Sequence, residues 1–274
     1  MEWSIGEFSR VADGVYMVVC EPATVNVGLV VGQDSALLVD AGSTPEQGAA
    51  LLEAARGVAG VPVTHVVVTH DHWDHWFGLA GMEGVISIAH ENLGVPTGES
   101  ARILEEVGLE GAPLPGITFS LARAITLGDV RVEFLHLGGG HTTSDVVVWV
   151  PGKNVAFVGD LIESAGDPQF STDSSIRNWP TVLDSVVGAA NRDTVVVPGH
   201  GPCVDRDFVF QQQGEIAMLY ATCEMLVQQG VKVADAAAET QWPFTAQTLE
   251  VALPLIYAEL EAKGIKPRTH LPLL

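Results

Sequence analysis

Apolar residues in the first two-thirds of the chain fall in short runs, most of them ended by glycine or aspartate. "GVYMVVC", "NVGLVVG" and "SALLVDAG" are aliphatic and rich in β-branched residues, so 14–20, 26–32 and 35–42 read as strands. The period then changes. Leu51, Leu52 and Ala55 keep helical spacing, Thr44 or Ser43 suits a cap and Pro45 a first turn, which predicts a helix over 43–60. Further apolar runs at 64–70, 84–91, 130–141, 145–150, 154–160 and 193–201 read as strands, and 97–111 and 178–190 as helices. Beyond Pro202, Ile216, Leu219, Tyr220, Cys223, Leu226 and Val227 recur at helical spacing and predict one long amphipathic helix over 205–229. Residues 236–240 and 248–264 read as helical too, with Pro254 expected to kink or divide the last helix. This pattern predicts an α/β layered core over 1–204 with a helical extension over 205–274 packed on it.

The metal-capable side chains fall where strands end. His70, His72, Asp74 and His75 follow the apolar run "VVVT", His141 follows the run at 131–137, Asp160 ends "NVAFVGD" and His200 ends "TVVVPGH". Loops at strand ends converge while the sheet holds them rigid, so four separate strands aim at one place. His70 and His72 are two apart, which puts both imidazoles on one side of extended chain. Asp74 and His75 sit on the following turn. Five histidines and two aspartates are too many for one tetrahedral ion, and fit two ions that share a carboxylate.

Charge and cysteine usage narrow the classes. Thirty-four acids against 13 bases give a net charge of -21, which repels nucleic acid and an anionic membrane surface. Cys20, Cys203 and Cys223 are widely spaced and form no CxxC, so a disulfide framework is not expected. The first ten residues lack an apolar segment of the secretory kind, and no run has the length of a membrane span, so a cytoplasmic location is expected.

In order and spacing, "HDHWDH", "GGGHT", "VGD", "PGHG" and the early "LLVDAG" resemble the motifs of the metallo-β-lactamase superfamily, over the chain up to about Pro202. The resemblance implies a four-layer αββα sandwich with metals at one edge. It implies one ion held by His70, His72 and His141, a second held by Asp74, His75 and His200, and Asp160 shared between them. Zinc is the implied metal, with iron and manganese compatible with the same donors. The commonest group of zinc β-lactamases has cysteine where Asp160 stands, and the flavin-linked branch has glutamate where His72 stands. The complete set looks like that of glyoxalase II-like thioesterases and lactonases.

The chemistry implied is hydrolysis. Paired ions lower the pKa of water toward roughly 7 and share a bridging hydroxide. That nucleophile would cleave a thioester, lactone or ester of a small molecule with an apolar part. Asp74 and Asp160 are the expected catalytic residues, Asp74 orienting the nucleophile. No general acid stands out, which suits a thiolate or ring alkoxide leaving group. A mononuclear iron persulfide dioxygenase, a β-lactamase-like amide hydrolase and a non-catalytic scaffold are the other readings. Lactonases that carry a tyrosine three residues past the shared aspartate differ here, where Glu163 stands.

Other residues carry divided expectations. His65, His136 and the tail residue His270 read as structural. His90 reads as structural or as a wall of the site, and Cys203 as buried or as a neighbour of the metals. Trp73, Trp76 and Phe77 either line an apolar pocket mouth or pack beneath the loop. Phe170 and Trp179 are candidates for a substrate wall, and the C-terminal helices for a cleft cap or a homodimer surface.

Overall fold

The structure is a computed structural model and describes residues 1–267, so His270 lies outside the described residues. Eight strands build the first sheet: β1 (Ser4–Ile5), β2 (Ser9–Ala12), β3 (Val15–Glu21), β4 (Val25–Val31), β5 (Ala36–Val39), β6 (Val63–Val67), β7 (Ile86–His90) and β8 (Ile117–Phe119). Their order is β1-β3-β4-β5-β6-β7-β8, with β2 beside β3. β3 to β5 are antiparallel and β5 to β8 parallel. The second sheet has β9 (Ala122–Thr126), β10 (Arg131–Leu135), β11 (Val147–Val150), β12 (Val155–Phe157) and β13 (Val195–Val197), in the order β13-β12-β11-β10-β9.

Alternation along each strand builds a layered core. In β5, Leu37 and Val39 face the second sheet while Ala36 and Leu38 face the helices α1 (Pro45–Ala59), α2 (Trp73–Trp76) and α3 (Gly98–Glu106). In β11 and β12, Val148, Val150, Val155 and Phe157 face the first sheet, and Val147 and Ala156 face α4 (Trp179–Ala189) and α5 (Arg206–Gln229). Three apolar clusters thus separate four layers, helix–sheet–sheet–helix, as expected. Each fully buried aliphatic or aromatic side chain contributes about 1.5–3 kcal/mol. The sheets approach closely at Gly28, where a Cβ would fall 2.3 Å from the Phe157 ring.

Local chemistry explains most boundaries. Thr44 caps α1 by accepting from the Gln47 N–H at 3.2 Å, with Pro45 in the first turn. Asp205 caps α5, whose buried face of Val209, Ile216, Leu219, Cys223 and Leu226 packs on α4 and on α7 (Ala246–Ala262). Two expectations shift. The helix read at 236–240 is instead α6 (Val233–Ala236). Pro254 does not divide α7: it lies on the exposed side, while Leu253, Ile256 and Leu260 hold the helix to the core. Strands β1, β2, β8 and β9 had no expectation at all. Among the described residues no helix is long and apolar enough to cross a membrane.

Candidate metal centre

Four loops meet at one edge of the two sheets. After β6 the chain bends at His70 and Asp71, is extended at His72, and turns into α2, which carries Asp74 and His75. The Gly138–Gly140 turn after β10 delivers His141, folded back by the Asp145 carboxylate, which accepts from the Gly140 and Thr142 N–H groups and the Thr142 hydroxyl. Asp160 follows β12 and His200 follows β13. Their loops touch at Gly199, where a Cβ would fall 1.7 Å from Asp160 Oδ1, so only glycine fits.

All seven predicted residues come together, in the two groups that were expected. His70, His72, His141 and Asp160 form one, and Asp74, His75 and His200 the other, each group with its ligand atoms within 4.8 Å of one another. Asp160 touches both: Oδ2 lies 3.6 Å from His70 Nε2 and 3.5 Å from His141 Nε2, and Oδ1 lies 3.1 Å from His75 Nε2. Asp74 Oδ2 lies 3.3 Å from His200 Nε2.

Each imidazole is held from outside by one nitrogen and turns the other inward. His70 Nδ1 donates to Thr69 Oγ1 at 3.0 Å, and His75 Nδ1 to Asp40 Oδ2 at 2.8 Å. His141 Nδ1 meets the Gln169 carbonyl at 3.1 Å, His200 Nδ1 the Ala23 carbonyl at 3.0 Å, and His72 Nε2 the Asp173 carboxylate at 3.4 Å. Such outer acceptors fix the tautomer and leave a lone pair on the inward nitrogen. Inward nitrogens then confront one another: His72 Nδ1 and His141 Nε2 at 2.9 Å, His75 Nε2 and His200 Nε2 at 3.4 Å. His70 Nε2 and Asp160 Oδ1 are buried without any hydrogen-bond partner. Facing lone pairs and orphaned donor atoms are what a cation would satisfy, so these residues fit divalent metal.

The electrostatics agree. Burial, and then the neighbouring His75, holds His70 well below the usual imidazole range; burial and His72 bring His141 down to about 4. Burial alone would raise the Asp160 carboxyl, but His75, His200 and His70 hold it well below the carboxylate range. Against the same burial, Asp160 and Asp74 push His200 up to about 12. The carboxylates thus create a place that calls for positive charge.

A cleft of about 390 Å³ opens onto the centre. Trp73, Phe170 and Ala23 give it apolar surface, and Thr97, Ser100, Ser171 and Thr172 give it hydroxyls. Trp76 and Phe77 do not line it; both are fully buried, and the Trp76 indole donates to the Pro113 carbonyl at 2.7 Å. Trp179 is also fully buried, edge-on to His141 at 5.5 Å, and supports the ligand rather than the substrate wall. His90 lies away from the cleft, stacked on His136 at 3.7 Å. Cys203 is exposed, not buried, and does not reach the cleft. Of the outer partners, Asp40 was marked in sequence only as the aspartate of "LLVDAG", and Asp173 and Thr69 were not assigned.

A family model described as the metallo-beta-lactamase superfamily matches residues 20–200. The chain belongs to that superfamily. It is a hydrolase of this class with histidine and aspartate metal-binding groups. A metallo-beta-lactamase type 2 of Bacillus cereus is 29% identical over 182 residues, covering 65% of this chain and 68% of that protein. One of Bacteroides fragilis is 28% identical over 177 residues, covering 63% of this chain and 67% of that protein. Among solved structures, a metallo-beta-lactamase from Pontibacter korlensis aligns with a TM-score of 0.63 at 24% identity, over 77% of this chain and 98% of that one. Metallo-beta-lactamase FIM-1 from Pseudomonas aeruginosa, in its mono-zinc form, aligns with a TM-score of 0.60 at 24% identity, over 77% of this chain and 93% of that one. At that identity the structural likeness speaks for the fold.

Proposed function

We propose that this superfamily member is a dinuclear hydrolase of small acyl compounds, thioesters, lactones or activated esters. The observation that carries the reading is the Asp160 carboxylate, which contacts both ligand groups at 3.1–3.6 Å and keeps one oxygen without a hydrogen bond. His70, His72 and His141 would hold one ion and Asp74, His75 and His200 the other, with Asp160 between them. Zinc suits this mix of imidazole and carboxylate. The chemistry such ions supply when bound is activation of water at neutral pH and polarisation of an acyl carbonyl.

The chain's own residues do the rest. Asp74, 6% exposed and at the cleft floor, orients attacking water and holds its proton on a carboxylate oxygen. Trp73 and Phe170 cover the acyl chain and exclude water around the carbonyl. Among the described residues lining the cleft outside the two ligand groups, the acids are Asp173, committed to His72, and Glu99, paired with Arg102 at 3.1 Å, so neither stands as a separate acid for the leaving group. A leaving group that departs as an anion, a thiolate or a ring alkoxide, needs no such acid.

The test is a panel of a thioester, a lactone, an aryl ester, a phosphodiester and a β-lactam with zinc-loaded protein. Turnover of the thioester or lactone above the others, abolished in Asp160→Ala, supports the reading. A second reading, β-lactam amide hydrolysis, draws on the relatives' printed names, and preferential turnover of the β-lactam would select it.

A further inference from the structure

Helix α5 is apolar on two opposite faces. One face carries Val209, Ile216, Leu219, Cys223 and Leu226 into the core. On the other, Phe210, Met218 and Met225 are 61%, 58% and 47% exposed, with the exposed Gly214, Ala217 and Ala221 among them. Helical geometry gathers these residues into one stripe about 23 Å long, turned away from the core. Between Phe208 and Gln229 the charged residues are Glu215 and Glu224, both half-buried and beside the stripe rather than in it. Polar side chains, Gln211, Gln213 and Thr222, form its rim. A helix that is apolar all round is normally covered, and an apolar patch with a polar rim marks a contact surface. The superfamily model stops at residue 200, before α5 begins at Arg206, so membership of the superfamily does not account for the stripe.

We propose that the occupant is a second copy of this chain, whose α5 lies antiparallel across the first about a two-fold axis between Ala217 and Met218. The order of residues along the stripe carries the inference, because it is the same from both ends. Turned end for end, Ala217 faces Met218 of the second copy, Gly214 faces Ala221, and Phe210 faces Met225. Small residues near the middle let the two backbones approach, and no atom lies within 4 Å of where a Gly214 Cβ would stand. Phe210 and Met225 fill the space where crossing helices diverge. Charge favours the same orientation. A parallel pair would set Glu224 beside its own copy. In the antiparallel pair the two Glu224 residues stand about 20 Å apart along the axis, beyond the screening length at physiological salt. Each Glu224 carboxylate meanwhile accepts from Gln228 Nε2 of its own helix at 3.1 Å. A two-fold pair uses the same patch on both copies and closes on itself. With each copy at -21, the apolar stripe works against a general repulsion, so association should tighten as salt rises.

Sedimentation of the purified full-length chain from about 1 to about 200 µM tests this, and the expected result is a reversible pair with a dissociation constant on the order of 10 µM. Met218→Lys should weaken the pair by about 30-fold or more, since it sets a charge beside the axis on both copies. Val58→Lys, at an exposed apolar position on α1 in the opposite outer layer, should leave it unchanged. Orientation is read by oxidative cross-linking in a Cys203→Ser background, which removes the exposed native thiol. Gly214→Cys with Ala221→Cys should link two chains, because those positions face each other across the pair. Either change alone should not, because each position then lies about 10 Å along the axis from its own copy, beyond the reach of a disulfide. A parent chain that stays single throughout, a pair that Met218→Lys leaves intact, or single-cysteine variants that link as readily as the double variant would each overturn the proposal.

Discussion

Two polar clusters sit close together in this molecule, both containing histidine and aspartate. One is the ligand set around Asp160. The other joins Asp145, Thr142, Ser144, Asp71, His136 and His90. In the second cluster the needs are met from within. Asp145 accepts from the Gly140 N–H, the Thr142 N–H and the Thr142 hydroxyl, and its carbonyl accepts from His136 Nδ1 at 2.8 Å. His90 donates to the Ser120 carbonyl at 2.9 Å and accepts from the Asn92 N–H at 3.2 Å. In the first cluster every outward nitrogen is held and the inward atoms face one another or nothing. Burial of histidine and aspartate therefore does not mark a site. A convergent deficit of partners does.

That difference can be broken or sharpened by substitution. Asp160→Ala should cost the most, about 10³-fold or more in kcat/KM on the best thioester, because one change deprives both ligand groups. Asp145→Ala should act on the fold instead. It strands three donors beneath His141 and should lower stability by on the order of 3 kcal/mol in denaturant unfolding. Asp173→Asn should weaken zinc binding by about 10–100-fold in a chelator competition, since it holds His72 from outside. His136→Ala, in the satisfied cluster, should change unfolding by about 1 kcal/mol and leave zinc affinity as it was.

The two clusters should also answer pH differently. Burial pushes the Asp145 carboxyl from 3.8 up to about 7 against the bonds it accepts. Between those values the folded protein keeps a proton that the unfolded chain has released. This contribution is complete below about pH 4 and is lost as pH rises through about 7. Asp145→Asn removes it, so the stability difference between parent and variant should shift against the parent from about pH 5 to about pH 8, measured by denaturant unfolding at each pH. A difference that does not change with pH would sink this role for Asp145.

The ligand set was legible in sequence because its members follow the ends of apolar strands and the spacing within "HDHWDH" admits few other uses. Strands that were continuous apolar runs, such as β4 and β5, and the helical period of α5 were legible for the same reason: burial leaves its mark on composition. Strands β2 and β9 left none, because their residues are mostly exposed and their pairing rests on backbone bonds to β3 and β10. The outer partners of the histidines were hidden differently. Gln169 and Ala23 act through carbonyls, which any residue has, and Asp173 reaches His72 from a distant part of the chain. The tryptophans of "HDHWDHW" part company for a local reason: Trp73 opens the α2 turn on the cleft side, whereas Trp76 closes it into the apolar cluster between the first sheet and its helices.

The most direct test of a two-ion centre built around Asp160 is elemental analysis of purified full-length protein after zinc loading and removal of free metal. Such a centre predicts two zinc ions per chain in the parent protein, and one or none in Asp160→Ala with its circular dichroism unchanged. A single ion in the parent, or two ions retained by Asp160→Ala, would contradict it.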